Sequence, residues 1–475
     1  MNELIVKIEV HDSDSHIVRV EGHAANFYFA SKALDDGAVD LPKVVKSFNG
    51  DIDQYRLLRE CVGLSNEFSG GLDSAILTQI GEWLFNTLFQ RSYEAMSVVR
   101  NAINDATQQS PLLLMIEVVE LGSDNQSTAR RMQQVPWELV REPGAQYSWG
   151  KNPNIVCVRV SRRRLLPPAH SAGLSLESDP RLSIAFLGAS LEVDGRRLPL
   201  DKEMAELTEL VDQNRHLMTF KRKDTNASRK EIENVYFRNE PDFLFLSCHA
   251  HPPAKGGRTH LIYQNVQGTQ AEEIDLVPMI ENGGPNQKMP RLIAINGCRS
   301  IDLAHDLADR GVISLGLTGK IQNEVAQHLP RNLVWNLLWH NQFHVAVHKM
   351  RSDLVKELNQ HRIDSNTASW QAMFIAVVIP YDCARELFSE KTMGRLVIES
   401  EEIETIEVRG IKFDASKYQQ AFTYEVLASK RQELLLRAGA YRIDLPQYEE
   451  HAVFELRIEE TRTITVNNGT AHGPE

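Results

Sequence analysis

The sequence predicts an α/β protein built on a mostly parallel six-stranded sheet with flanking helices. A β-rich and helical half precedes that sheet, and a small β-rich region follows it. Three observations lead there. Between residues 180 and 380, short apolar runs alternate with segments of helical period, the pattern of strands joined by crossover helices. Those runs are apolar without alternation, as strands covered on both faces are. The first ten residues instead alternate polar and apolar, as a strand with one wet face does.

Each element follows from the same reading. Residues 1–75 are β-rich: the first ten alternate, and Ile17-Val-Arg-Val-Glu-Gly and Asn26-Phe-Tyr-Phe read as short strands. Ser69-Gly-Gly-Leu-Asp reads as a turn. From residue 74 to about 106, Ile76, Leu77, Ile80, Trp83, Leu84 and Leu88 recur at helical spacing. Pro111-Leu-Leu-Leu-Met-Ile-Glu-Val-Val-Glu and Asn154-Ile-Val-Cys-Val-Arg-Val are strands, with Val135-Pro-Trp-Glu-Leu-Val between them. Residues 162–180 are polar, carry Pro167-Pro168 and form a linker. Strands are then expected at 181–188, 217–221, 242–249, 291–298, 312–317 and 372–380. Helices are expected at 201–215, 228–239, around 271–280, at 301–310 and within 320–358. After 381 come short strands such as 394–398 and 451–456, one helix around 424–437, and a tail after Val466 expected to be disordered. The division is therefore 1–165, 180–380 and 381–475.

Composition narrows the function. A net charge of −12 argues against a general nucleic-acid binder, which needs a basic face. No apolar run approaches the roughly 18–20 residues that cross a bilayer, so no membrane partner is expected. The start lacks a signal-peptide core. Five scattered cysteines (Cys61, Cys157, Cys248, Cys298, Cys383) make no disulfide framework and suit a reducing cytoplasm.

The chemistry concentrates at two strand ends. One strand reads Asp242-Phe-Leu-Phe-Leu-Ser-Cys-His249-Ala250, the other Arg291-Leu-Ile-Ala-Ile-Asn-Gly-Cys298-Arg299-Ser300. Buried strands that run out into small and polar residues mark the carboxyl edge of a parallel sheet, where α/β proteins build their sites. Cys298 can supply a nucleophile, and His249 an acid for the leaving amine and a base for water. The backbone N–H groups of Ala250 and Cys298 can face an oxyanion. Small Ala250 and Gly297 let a substrate backbone come close. A lone cysteine is commonly a small buried apolar residue, and a lone histidine a satisfied polar group. It is their occurrence together, on successive core strands, that points to catalysis; Cys248 belongs to the core. A zinc site drawing on Cys248, His249, His251, His260 and Cys298 is the chemical rival, but the spacing fits no closed structural site. Other signals are weaker. Gly316-Leu-Thr-Gly319-Lys320 lacks the spacing of a phosphate loop. Gly256-Gly257-Arg258 reads as a loop near the site, Trp137 and Leu139 as core, and the acidic run from Glu399 as a solvated turn. His340, His344 and His348 read as one helix face without an accompanying carboxylate.

With these residues in view, the chain resembles the CHAT-domain proteases, caspase relatives found mainly in prokaryotes, to which the separases are also related. Phe243-Leu-Phe-Leu-Ser-Cys-His249-Ala resembles the family's apolar strand ending in a Cys or Gly, a His and a Gly. Leu292-Ile-Ala-Ile-Asn-Gly-Cys298-Arg-Ser resembles its strand ending in a small residue, the Cys, a polar residue and Ser. Val135-Pro-Trp-Glu-Leu-Val resembles the Pro-Trp-Glu-Leu signature before the catalytic half. Ala308-Asp-Arg-Gly-Val-Ile-Ser-Leu-Gly-Leu, followed by Glu324-Val-Ala, resembles the segment after the Cys strand. The likeness covers about residues 1–380.

The resemblance implies a caspase-like catalytic domain behind a degenerate caspase-like half, and a His249/Cys298 dyad. It implies a cysteine endopeptidase without cofactor or metal that cuts a particular protein partner. It also implies regulation by an activating protein or ligand, in prokaryotic defence or cell death. In caspase relatives the residue two before the Cys and the loop after the first core strand line the substrate pocket. Here those are Asn296 and a loop with Glu192, Asp194, Arg196 and Arg197, whose mixed charge leaves specificity open. Two departures stand out: Ala250 replaces the usual Gly, and Gly-Leu-Thr-Gly-Lys replaces a Trp-containing strand end. The alternative is a catalytically silent caspase-fold scaffold or ligand sensor in a defence complex. Residues 381–475 are the expected regulatory or docking region.

Overall fold

A computed structural model describes residues 2–10, 16–22, 25–31, 74–89, 93–108, 110–120, 132–161, 182–193, 196–213, 218–239, 241–251, 258–265, 271–281, 289–319, 321–340, 343–360, 371–381 and a series of strands between 393 and 472. The first half supplies β1 (Asn2–Val10), β2 (His16–Gly22), β3 (Ala25–Ser31), α1 (Ser74–Phe89), α2 (Tyr93–Asp105), β4 (Leu112–Glu120) and β5 (Ile155–Ser161). Next come β6 (Leu182–Gly188), β7 (Glu192–Val193), β8 (Arg196–Arg197), α3 (Leu200–Gln213), β9 (Met218–Asp224), α4 (Arg229–Asn234) and β10 (Phe243–Ser247). They are followed by β11 (His249–His251), β12 (His260–Gln264), β13 (Ala271–Ile274), α5 (Leu276–Glu281), β14 (Leu292–Asn296) and α6 (Ile301–Ala308). The run ends with β15 (Ile313–Leu317), α7 (Asn323–Trp339), α8 (Phe343–Gln360) and β16 (Ile375–Pro380).

Eleven of these strands form one sheet, in the order β3-β2-β1-β4-β5-β16-β15-β14-β10-β6-β9. The six expected strands are the contiguous run from β16 to β9, parallel throughout except for antiparallel β15–β16. The class is the expected one, a mixed α/β fold with a large, mostly parallel sheet and flanking helices. Side chains alternate between two apolar layers. Ile184, Phe186, Phe243, Phe245, Leu292 and Ala294 pack with residues of α3, α7 and α8. Ala185, Leu187, Leu244, Leu246, Ile293 and Ile295 pack with residues of α4, α5 and α6. This double covering is why the strands are apolar without alternation. From β6 the chain moves outward to β9, then returns to the other side of β6 as β10. Parallel sheets open a crevice at the carboxyl ends of strands where the order reverses in this way.

The remaining strands are β17 (Met393–Ser400), β18 (Glu404–Gly410), β19 (Phe422–Val426), β20 (Arg431–Arg437), β21 (Gly439–Leu445), β22 (Glu450–Leu456), β23 (Thr461–Asn467) and β24 (Thr470–His472). They form two four-stranded sheets, β20-β17-β23-β24 and β19-β18-β21-β22.

Four expectations are corrected. The helix around 424–437 is replaced by β19 and β20; β17 offers a free ladder that Arg431–Arg437 completes, with Leu434 opposite Leu396. Tertiary pairing here overrides local propensity. The tail is ordered as β24, which pairs with β23 through Asn467 and Thr470. The helix around 271–280 begins instead as β13, and only Leu276–Glu281 is helical. His340 caps the end of α7 while His344 and His348 lie on α8, so the three imidazoles do not share one helix face. The Ser69 turn, the 162–180 linker and Gly256-Gly257 fall outside the described residues.

Candidate active site

Strands β10 and β14 are neighbours, parallel and in register, with Ser247 opposite Asn296. His249 and Cys298 each lie two residues beyond that last pair. Neighbouring strands are about 4.8 Å apart, so the two residues leave the sheet side by side on one rim. The chains stay in contact past the ladder: Cys248 N–H donates to the Asn296 carbonyl at 3.4 Å. A Cβ placed on Gly297 would stand 3.2 Å from the Cys248 carbonyl oxygen and 3.4 Å from Ala250 Cβ. The loops bearing His249 and Cys298 therefore touch, and glycine at 297 is what permits the approach.

Exposure separates the cysteines. Cys298 is half-buried, whereas Cys157 and Cys248 are buried. Burial pushes both buried thiols up to about 12. His249 and Ala250 are also half-buried. Beyond β10 the chain leaves the main sheet, and β11 joins a three-stranded antiparallel sheet, β11-β12-β13, with His249 opposite Ile262. Tyr263 fixes that small sheet by donating its hydroxyl to the Leu187 carbonyl at 3.0 Å.

The cysteine turn is held from several sides. Arg299, directly after Cys298, has φ of 60°, the sole positive φ of a non-glycine residue among those described. Such a conformation costs of order 1–3 kcal/mol and persists where its surroundings over-determine it. Here Arg299 N–H donates to the Gly319 carbonyl at 3.3 Å, and the Arg299 carbonyl accepts from Thr259 Oγ1 at 3.1 Å. Thr259 N–H donates to Asp302 at 2.9 Å, and its one hydroxyl hydrogen is shared between the Arg299 carbonyl and Asp302, whose oxygen lies 2.7 Å away. Burial raises the Asp302 carboxyl to about 6. Ser300 Oγ donates to the Ile295 carbonyl at 3.2 Å and accepts from Leu317 N–H at 3.1 Å. Gly316 packs on this turn; a Cβ there would stand 2.8 Å from the Ser300 carbonyl oxygen.

Asn296 is buried under the rim rather than open to it. Its Nδ2 donates to Glu203 Oε1 at 2.9 Å and to the Ala326 carbonyl at 3.0 Å. Ser247 Oγ donates to Glu203 Oε2 at 2.8 Å. Glu203 of α3 thus bridges the final residues of the two strands that carry His249 and Cys298. Burial raises its carboxyl to about 8, despite these hydrogen bonds, with Glu206 adding to the rise. Its sequence signal is a lone acid on the apolar face of α3, among buried Leu200, Leu207 and Leu210. Asp194 lies outside the described residues, and of Glu192 only the backbone, in the β7–β8 hairpin, is described. His251 and His260 are both engaged by Glu273, at 2.6 and 3.1 Å, and these bonds hold that carboxylate below its ordinary range. Among the described residues no three His, Cys, Asp or Glu side chains form a group able to hold a metal. No described helix is long and apolar enough to cross a membrane.

No family model and no curated protein matches the chain. Several solved structures are similar. One described only as a protease is 9% identical, with a TM-score of 0.40, and the match covers 83% of this chain and 90% of that one. The Arg-specific cysteine proteinase gingipain R is 10% identical, with a TM-score of 0.35, over 87% of this chain and 96% of its own. A secreted C11 cysteine protease from Bacteroides thetaiotaomicron is 13% identical, with a TM-score of 0.28, over 37% of this chain and 60% of its own. These likenesses are distant.

Proposed function

We propose that the chain is a cysteine endopeptidase of the CHAT type that cleaves a specific protein partner as a regulated effector in prokaryotic defence or cell death. The observation that carries the chemistry is the register of β10 and β14. It sends His249 and Cys298 off the same edge, with Gly297 seated against Ala250. In this reading the Cys298 thiolate attacks the scissile carbonyl and forms a C–S bond. The oxyanion faces the backbone N–H groups of Ala250 and Cys298. His249 protonates the departing amine as the C–N bond breaks, leaving a thioester on Cys298. It then takes a proton from water, whose oxygen attacks that thioester and releases the acid and the thiol. Half-exposure of Cys298 supports this assignment over the two buried cysteines. The pocket for the substrate side chain lies by the β7–β8 hairpin, with Glu192 and Asp194 as the candidate acidic contacts and Asn296 buried beneath as a support of its floor rather than a direct contact.

The test pairs activity with labelling. Cleavage of a peptide library by the wild type should vanish in Cys298→Ala and fall by at least about 10²-fold in His249→Ala. A peptidyl electrophile should attach at Cys298 and not at Cys248. Cleavage that survives both substitutions would end the protease reading. A wild-type chain that neither cleaves nor takes up the electrophile would support the catalytically silent scaffold or ligand sensor.

A further inference from the structure

The rim described above leaves one large feature of the molecule unused. A cavity of about 630 Å³ opens between α8, the segment leading into β5 and residues 371–373. It lies at the seam where β5 and β16 join the two halves of the sheet. Lys151, His348, Lys349, Arg351 and Lys356 line it, and none of the described residues lining it is acidic. In a chain with twelve more acidic than basic residues, that is a local reversal of sign. Lys356 pairs with Asp353 at 3.2 Å.

The charge beneath the cavity is unbalanced. Arg159 and Arg351 are both buried, with one buried carboxylate, Glu138, between them. Glu138 accepts from Arg159 Nε and Nη2 at 3.0 and 2.7 Å and lies 4.0 Å from Arg351 Nη2. Arg351 spends its donors on backbone carbonyls: Nε and Nη2 to Ile375 at 3.1 and 2.6 Å, and Nη1 to Cys157 at 3.1 Å. Arg351, which lines the cavity, thus shares one buried carboxylate with Arg159, where low dielectric makes an uncompensated charge costly. The walls behave accordingly. Burial, reinforced by Arg141, lowers the Lys151 ammonium to about 8. Burial, reinforced by Arg351, Lys349 and His340, lowers His348 to about 4 even though its ring donates to the Pro153 carbonyl. Burial and Lys349 do the same to His340. The charged groups that add to these downward shifts are all cations. Val156, Val345 and Met373 add an apolar wall.

From this we infer a binding site for a phosphorylated small molecule of about nucleotide size, its phosphate on Lys151 and Lys349 and its apolar or aromatic body against Val156, Val345 and Met373. A volume of this size suits such a ligand, and a phosphate supplies the negative charge the lining lacks. Through Arg351 the ligand reaches the carbonyls of both seam strands, β5 and β16. The site stands independently of the protease reading.

Isothermal titration of the full-length protein with AMP, ATP and adenosine tests it. Both nucleotides should saturate at one per chain and raise the melting temperature, as ligands of the native state do. Adenosine should bind at least about tenfold more weakly, and affinity for the nucleotides should fall steeply with salt. Lys349→Glu, at an exposed position, should weaken nucleotide binding at least about tenfold with the ligand-free melting temperature unchanged; Lys151→Gln should do the same. Lys230→Glu, on the distant helix α4, should change nothing. Cys298→Ala should bind as the wild type does, so loss of proteolysis and loss of binding are separate outcomes. No saturable binding of AMP or ATP at millimolar concentration, or an equal loss in Lys230→Glu, would overturn the site.

Discussion

Glu203 shows how one residue can set the conditions under which the rim works. Its carboxyl is raised to about 8 by burial, so it is neutral at pH 7. Above that pH it ionises close to Cys248 and the cysteine rim, since burial and the charges of Cys298 and Glu203 together raise the Cys248 thiol. The other titratable groups facing it are Glu206 on the same helix and Tyr263 on β12. His328 of α7 stands behind Glu206 at 2.7 Å. In the proposed chemistry a carboxylate formed there would oppose both thiolate and oxyanion. In Glu203→Gln the amide oxygen can accept from Asn296 while its NH₂ donates to Ser247 Oγ, so the bridge survives without the ionisation. Wild-type kcat/KM should therefore fall severalfold as pH rises through about 8, and the variant should lack that limb; identical limbs in the two proteins would refute the role. Stability follows the same sign. A raised carboxyl pKa contributes stability that is complete below the ordinary 4.5 and lost as pH rises to about 8. Melting of Glu203→Gln should therefore be less sensitive to pH across that window. Gly297 gives a second check. A methyl there would stand 3.2 Å from the Cys248 carbonyl oxygen, so the loop bearing His249 must give by a few tenths of an ångström. Gly297→Ala should cost about 10²-fold in rate with a much smaller change in urea midpoint. His249, Cys298 and Gly297 were legible in the sequence because small and polar residues ended apolar runs. Arg299 was not, because nothing local announces a positive φ imposed by Thr259 and Gly319.

Among elements, the Pro-Trp-Glu-Leu segment acquires a physical role. It forms a short 3₁₀ turn, Trp137–Leu139, with all three side chains buried. Trp137 Nε1 donates to the Met132 carbonyl at 3.0 Å, and Glu138 makes a two-point ion pair with Arg159 of β5. Arg159 also donates to the carbonyls of Gln133 and Val135, so one side chain staples the whole turn to the sheet. Breaking a buried pair on one side strands the other charge. Glu138→Ala should then destabilise the protein by about 3–5 kcal/mol in urea unfolding. Glu142→Ala, which frees the far more exposed Arg100, should leave the urea midpoint nearly unchanged. Equal losses would show that burial does not govern these pairs. Strands buried on both faces were readable because their composition does not depend on their partners. The strands after 390 were harder, since each is shaped by a ladder supplied by distant chain. Arg431–Arg437 carries a helix-compatible run that β17 recruits. At β24 a usable signal did exist: Asn468-Gly469, between the paired Asn467 and Thr470, is a strong hairpin dipeptide.

At the scale of the molecule, one sheet runs across the first of the expected chain boundaries and one apolar core across both. Parallel pairing of β5 with β16, through Arg159 and Val378, joins the first half to the second. A single connected apolar cluster contains Ile5 and Val158 from the first half and Phe245 and Leu333 from the second. It also contains Leu396, Ile443, Phe454 and Ile464 from the strands after 390. If the last region were an appended regulatory or docking module, its removal would leave residues 180–380 intact. Because its apolar residues belong to the shared cluster, truncation after residue 381 should instead expose part of that cluster to water. Each fully buried Leu, Ile or Phe side chain is worth roughly 1.5–3 kcal/mol, so losing even a few contacts rivals the ~5–15 kcal/mol that keeps a domain folded. The 1–381 chain should be poorly soluble or melt well below the full chain. The full chain should unfold with the large denaturant dependence of one cooperative unit. A truncated protein that melts as the full chain does, and still takes up the peptidyl electrophile at Cys298, would make the last region an independent module and free it for docking.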